Sequence, residues 1–402
     1  MTPPTHAPVY LDHHATTPLD PRVFEAMRPW LEGGPAGHFG NPSSRQHAFG
    51  EAASTAVEQA RAQLAALLDV SPRDVIFTSG ATEANNLAIK GTLLSRRGEP
   101  TGRLVTSTAE HRATLDPARS LSRRSVPVTF LPVDPLGRIS LTELDSALTD
   151  VLTSATASDT RLVSLLAASN EVGTLAPLAE IADLCRRRGV PFHTDACAAV
   201  GHLPCAAPAY GADLLSLSAH KFYGPQGIGA LIVRDGARPL VPQIEGGGHE
   251  QHLRSGTLPV ALIVGMGAAA AIAQSELPSE QTRLATLRDH LWARLHTLVP
   301  DLIRNGDPVH TLAGTLNISV PEVDGDRLLA AITDLAVSSG AACSSRDPEP
   351  SHVLRAMGLS EQLAKASLRL SLGRFTTLAE IDFAANSLAQ TIRQLRGNHG
   401  RP

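Results

Sequence analysis

Lysine is nearly absent from this 402-residue chain: Lys90, Lys221 and Lys365 are the only three, although lysine and arginine together number 35. Arginine therefore carries the surface charge, and a lysine kept beside it suggests a task guanidinium cannot do, which is to lose a proton and attack a carbonyl. Aromatic residues make up only 3% of the chain, and no basic run is interleaved with them, so nucleic acid is not an expected partner. The net charge of −4, with both signs dispersed, fits a small or anionic metabolite better. No long apolar run is present: Val260 to Ala273 is too short and too rich in Gly and Ala for a membrane span. The N-terminus also lacks a charged-then-apolar signal pattern, so a cytoplasmic protein without a membrane partner is expected. The four cysteines, Cys185, Cys197, Cys205 and Cys343, show neither paired zinc spacing nor a disulfide framework; free thiols are expected, and no metal. Three of them read as small hydrophobic fillers. Cys343 differs, lying in Ser338-Ser339-Gly340-Ala341-Ala342-Cys343-Ser344-Ser345, a run of small residues that favours mobility.

With 43% hydrophobic residues, the chain can build two domains with real cores. A short strand is expected over Val9 to Leu11, and Asp20-Pro21 opens a helix running to about Gly33 in the favoured cap-then-proline order. Helical spacing covers Ser43 to Leu68, and a strand over Val75 to Phe77 leads through Thr78 to Glu83 into the helix Ala84 to Leu94. Strands and helices then alternate. Strands are expected at Leu104 to Thr106, Val126 to Leu131, Leu162 to Ala167, Pro191 to Thr194, Leu214 to Leu217 and Gly229 to Val233; helices at Ala113 to Leu121, Leu141 to Leu148 and Leu178 to Arg188. This pattern predicts a mainly parallel sheet covered on both faces, with ligand sites at the carboxyl ends of its strands. From about Val260 the character changes to an Ala-rich helix ending near Gln274, a charged helix from Ser279 to Leu298, a strand over Leu316 to Val320 and further alternation. A second, smaller domain is expected there, with the N-terminal strand returning to join it.

Five strand ends carry side chains that read two ways. Thr78-Ser79-Gly80-Ala81-Thr82-Glu83 suits a phosphate at a helix N-terminus, or is a simple cap. Glu110-His111 offers an imidazole to stack on a planar ligand or shuttle protons, or is a surface loop. Ser169-Asn170-Glu171 bonds a ligand or caps a turn. His193-Thr194-Asp195 ends in an acid that would keep a pyridine nitrogen protonated, or caps a helix. Ser218-Ala219-His220-Lys221-Phe222-Tyr223-Gly224 places an amine suited to Schiff-base chemistry, or an exposed loop lysine, after a buried strand. Taken together, these are the parts of a pyridoxal 5'-phosphate site.

The sequence resembles the cysteine desulfurases of the class V aminotransferase family, fold-type I pyridoxal-phosphate enzymes. The resemblance runs from Tyr10-Leu11-Asp12-His13-His14-Ala15-Thr16-Thr17-Pro18 through Gly40-Asn41-Pro42-Ser43-Ser44 and Phe77 to Glu83. It continues over the lysine stretch, Gly246-Gly247-Gly248-His249-Glu250, Arg254-Ser255-Gly256-Thr257-Leu258-Pro259 and Ser367-Leu368-Arg369-Leu370-Ser371. It implies an α/β fold: a large cofactor-binding domain over residues 13–262 with a mainly parallel seven-stranded sheet, and a small α/β domain over 263–402 joined by 1–12. It also implies roles. Lys221 would carry the cofactor as a Schiff base, Asp195 pair with the ring nitrogen, and His111 stack on the ring and assist proton transfer. Gly80, Ala81, Thr82, Ser218 and His220 would bind the phosphate, with Thr257 reaching it from the other subunit of a homodimer. Asn41, Asn170 and Arg369 would hold the substrate L-cysteine, Arg369 gripping its carboxylate. Cys343 would attack the substrate sulfur, keep it as a persulfide and release alanine, the sulfur passing to a protein acceptor for iron–sulfur cluster or related synthesis.

Some positions depart from the family's pattern. Asp195-Ala196-Cys197-Ala198 stands where relatives usually read Asp-Ala-Ala-Gln, so the glutamine that bonds the cofactor's phenolic oxygen is missing. Ala219 replaces the usual glycine between Ser218 and His220. Cys197 reads as a second functional thiol or as a filler, with filler favoured. A selenocysteine or cysteine lyase of the same fold, and a sulfur-carrier subunit with weakened catalysis, are the alternative functions.

Overall fold

Strands that are apolar along their whole length need cover on both faces, and that requirement organises this molecule. The computed structural model describes residues 8–32, 37–149, 160–234, 239–339 and 349–397, except for the side chains of residues 208 and 209. The chain opens with β1 (Val9–Tyr10), α1 (Pro21–Met27) and α2 (Ala48–Leu68). Then β2 (Val75–Thr78), α3 (Ala81–Leu93), β3 (Arg103–Ser107), α4 (Arg112–Ser122), β4 (Val128–Leu131), α5 (Leu141–Thr149) and β5 (Thr160–Leu166) alternate. They are followed by α6 (Leu178–Arg188), β6 (Phe192–Asp195), the short α7 (Ala207–Tyr210), β7 (Leu214–Ser218) and β8 (Gly229–Val233). These strands form one seven-stranded sheet in the order β2-β8-β7-β6-β5-β3-β4. Only β8 runs against both neighbours; the remaining pairs are parallel. Every residue of β2, β6 and β7 is buried.

Two apolar clusters cover the sheet. One holds Val57, Leu64 and Leu68 of α2 against Phe77, Val163, Leu165 and Leu217; the other holds Ala84, Leu87 and Ala88 of α3 against Ile76, Leu104 and Leu231. α1 follows the expected cap, with Asp20 accepting from the Arg22 N–H, but it ends at Met27 and continues only as a single 3-10 turn over Arg28–Trp30. α2 starts at Ala48 rather than Ser43, because the His47 imidazole caps it by accepting from Gly50 N at 3.1 Å.

The largest departure from the sequence pattern is α8 (Val260–Leu298), a single 39-residue helix running through Pro278 where two helices were expected. An interior proline loses one helical hydrogen bond and crowds the preceding turn. Here burial on both sides outweighs that cost. Ile263, Met266, Ala270 and Ala273 pack into the large core, whereas Leu284, Leu287, Leu291 and Leu295 pack into a second core. Core membership thus changes between Ala273 and Leu284, within one rigid rod.

The second core is built on a three-stranded antiparallel sheet of β9 (Ile303–Asn305), β10 (Thr315–Ser319) and the later strand β12. Between them lie α9 (Gly325–Ala331), β11 (Leu335–Ala336), α10 (His352–Ala356) and α11 (Glu361–Lys365); β12 spans Ser367–Ser371 and α12 spans Leu378–Gly397. β1 pairs in parallel with β11, Val9 opposite Leu335, so the N-terminus is stitched to this second unit.

α2 and α8 approach closely where Gly267 faces Ala60: a Cβ on Gly267 would stand 2.6 Å from Ala60 Cα. Gly265 leaves matching room for α1, since a Cβ there would stand 2.5 Å from Met27 Sδ. Gly267→Val should therefore destabilise the protein by about 2–3 kcal/mol in urea titration. Gly397→Ala, where nothing lies within 4 Å of the added Cβ, should change stability by less than about 0.5 kcal/mol.

Candidate functional site

The carboxyl ends of the parallel strands converge on a cavity of about 440 Å³. Its wall includes Gly80, Ala81, Thr82, His111, Asn170, Asp195, Ser218, His220 and Lys221, drawn from the ends of five strands. α3 begins at Ala81, three residues earlier than the sequence pattern suggests, so the small-residue turn is itself the helix N-terminus. Its N-cap is Gly80, which has no side chain to satisfy the first N–H groups; they remain open to an anion. The approach is tight: a Cβ on Gly229 would lie 2.7 Å from Gly80 Cα. Glu83 does not compete for the anion position, because its carboxylate accepts from Ser79 N at 2.8 Å and pairs with Arg254 at 2.8 Å.

Asp195 ends β6 with its carboxylate fixed on both oxygens. Oδ1 accepts from Cys197 N at 3.0 Å, and Oδ2 accepts from Asn85 Nδ2 at 2.6 Å. His111 caps α4, its Nδ1 accepting from Ala113 N at 3.1 Å. That bond fixes the tautomer, since a neutral ring must then carry its proton on Nε2. Burial lowers the His111 pKa, so the neutral form prevails at neutral pH. Burial also lowers Lys221 from the usual amine range, which raises the fraction of nucleophilic free amine. Lys221 Nζ donates to the carbonyls of His14 and, at 3.0 Å, Ala15. His220 is pushed down to about 4 by burial and then by Lys221, and its Nδ1 lies 3.1 Å from Thr16 Oγ1.

Cys197 and Ala198 line the same cavity. Burial and, next, Asp195 push the Cys197 thiol up to about 12, so it stays protonated and is a poor nucleophile. Cys185 is likewise pushed up to about 12 and Cys205 to about 11 by burial.

Three of the sequence candidates do not line this cavity. Asn41 and Thr257 are exposed on the surface. Arg369, in β12, is buried; it pairs with Asp12 at 2.7 Å and donates to the Asn170 carbonyl at 3.0 Å. Its Nε has no hydrogen-bond partner among the described residues, a spare donor beside Asn170. Cys343 falls outside the described residues. Two participants were not singled out from sequence. Asn85, which holds Asp195, was detectable as a polar residue on the buried face of α3, one turn after Ala81. The His14 and Ala15 carbonyls that receive Lys221 left no signal, because they are main-chain atoms brought across from the N-terminal segment.

These residues fit a flat ring bearing a phosphate. The open α3 N-terminus supplies the anion end, Asp195 the carboxylate for a ring nitrogen, the neutral His111 imidazole a face, and Lys221 an amine for a carbonyl carbon.

Comparison with known proteins gives a consistent family. The family model described as Aminotransferase class-V matches residues 9–383. The chain is 44% identical over 394 residues to a cysteine desulfurase of Homo sapiens, covering 98% of this chain and 83% of that one. It is 46% identical over 390 residues to cysteine desulfurase IscS of Rickettsia akari, covering 97% and 92%. Among solved structures, a NifS-like protein superposes with a TM-score of 0.86 at 33% identity, covering 96% of this chain and all of that one, 100%.

Glu110, next to His111, is fully buried and pushed up to about 8 by burial; its Oε1 accepts from Ser107 Oγ at 2.7 Å. The folded state thus keeps a proton that the unfolded chain releases near an ordinary carboxyl pKa of about 4.3, so stability falls as pH rises from there toward 8. Glu110→Gln should flatten this decline when melting temperature is followed from pH 5 to pH 8.

Proposed function

Because this chain belongs to the aminotransferase class-V family, we propose that it is a cytoplasmic, pyridoxal-phosphate-dependent cysteine desulfurase acting as a homodimer. It takes sulfur from L-cysteine onto Cys343, releases L-alanine and passes the sulfur to a protein acceptor for iron–sulfur cluster or related cofactor synthesis. The observation that carries this reading is the convergence of Lys221, Asp195, His111 and the uncapped α3 N-terminus on one cavity. When bound, the cofactor supplies an electron sink for the substrate's α-carbon.

The chain's own groups do the rest. The N–H groups of Ala81 and Thr82, with Ser218 and His220, would hold the phosphate, and Asp195, immobilised by Asn85, would pair with the ring nitrogen. Lys221 would hold the cofactor through its amine, and that amine, favoured in its neutral form by burial, would serve as the base for the substrate's α-proton. His111 would pack on the ring, with its Nε2–H free for the reacting atoms. Arg369, whose Nε has no partner among the described residues, binds the substrate carboxylate.

The transfer step is redox-balanced. The Cys343 thiolate forms a bond to the substrate sulfur as the substrate's C–S bond breaks; the C–S electron pair stays with carbon, which is then protonated to alanine. The enzyme is left as Cys343–S–SH. Cys197, whose thiol stays protonated, is not the acceptor.

Surface chemistry supports the dimer. Phe39 and Phe49 stack with ring centroids 5.1 Å apart while 66% and 50% exposed. Such an aromatic patch suits contact with a second copy. Thr257, exposed on its own subunit, would there reach the partner's phosphate.

Cys343→Ala should abolish alanine formation from L-cysteine while the cofactor absorbance persists. Lys221→Ala should lower turnover by about 10³-fold or more. Undiminished alanine release by the Cys343 variant would remove Cys343 from its assigned step.

A further inference from the structure

Lys221 is held at both ends by histidines that its chemistry does not itself require. Its amine donates to the His14 carbonyl, while its own main-chain carbonyl accepts the Nε2–H of His202 at 2.8 Å. His202 is in turn fixed by its neighbours: its N–H donates to Ala199 O at 2.9 Å, and its carbonyl accepts from Gln281 Nε2 of α8 at 2.8 Å. The turn that carries it passes directly under the lysine segment. Gly201 has φ +79, and a Cβ there would stand 2.4 Å from Phe222 Cβ, so only glycine permits this approach.

His14 is tied instead to the second unit. Its N–H donates to Ser371 Oγ at 2.9 Å, and its ring Nε2 lies 2.5 Å from Thr315 Oγ1. The rings of His14 and His202 lie with centroids 6.3 Å apart, tilted at 51° to each other. Burial lowers both imidazoles below their usual range, so neither places a cation beside the amine. A metal is not what gathers them: among the described residues no three His, Cys, Asp or Glu side chains converge closely enough to hold one.

We propose that His14 and His202 are positioning residues for Lys221. His202 fixes the lysine's main chain, and His14 presents, on a mount anchored to Thr315 and Ser371, the carbonyl that receives the amine when it is free. This rests on the reading of Lys221 as the cofactor-bearing base. A base displaced from its linkage has to be caught within reach of the α-proton, because misplacement of a reacting group by about 1 Å costs on the order of 100-fold in rate.

The test uses the full-length enzyme. His202→Leu should lower kcat for alanine formation about tenfold or more, with KM for L-cysteine within about threefold. His202→Gln, which keeps a terminal N–H donor, should restore most of that loss. A second readout exploits the scarcity of lysine: reductive methylation of the cofactor-stripped chain with ¹³C-formaldehyde gives side-chain signals only from Lys90, Lys221 and Lys365. In His202→Leu, and more weakly in Thr315→Val, the Lys221 signal should titrate about one pH unit higher, toward exposed Lys365, while the other two hold still. An unmoved Lys221 titration in His202→Leu, or a kcat loss that glutamine does not restore, overturns the proposal. If Lys221 shifts as expected but Lys221→Ala still turns over, the positioning stands and the function proposed for Lys221 falls.

Discussion

A nucleophilic amine has to be kept from water yet within reach of its substrate, and the burial of Lys221 at the meeting of three chain segments is the constraint on which the rest of this structure depends. Partial removal from solvent makes the ammonium form costly, and that cost frees the amine to react. It is tolerable because the amine finds carbonyl acceptors at His14 and Ala15. Those acceptors come from a segment whose β1 pairs with the second unit, so the lysine's environment exists only when the N-terminus has folded across the chain.

The same junction is held from the other side by buried charge. Arg374 pairs with Asp20 at 2.9 Å and Glu280 at 2.9 Å, and its guanidinium lies 4.2 Å from the centroid of the Tyr223 ring. Tyr223 follows Lys221 by two residues and takes φ +67, an uncommon backbone state for a tyrosine. Removing either partner of such a buried pair would leave a charge without compensation, so the arrangement fixes how α1, α8 and the chain after β12 meet beneath the lysine loop. α8 completes the frame by placing its first half in one core and its second half in the other.

The alternation of strands and helices was legible because parallel strands buried on both faces leave unbroken apolar runs such as Leu214–Leu217. Gly80-Ala81-Thr82, His111, Asp195 and Lys221 were legible because α/β sheets gather their ligand sites at strand ends. The two helices expected to either side of Pro278 are one, since packing on both sides carried the helix through a residue that local propensity disfavours. The start of α2 was misplaced for the converse reason: a local cap at His47 overrode a helical spacing that extended further upstream.

The sequence by itself determined the order of elements, the chemistry available at each strand end and the family to which the chain belongs, because these follow from residue type and local spacing. Only the tertiary structure decided how those groups act. It set Asn85 on Asp195, left Arg369 Nε without a partner among the described residues, and kept the Cys197 thiol protonated. It also brought His14 and His202 to opposite ends of Lys221. Each of these depends on burial or on a contact between segments far apart in sequence, and neither quantity is carried by residue identity.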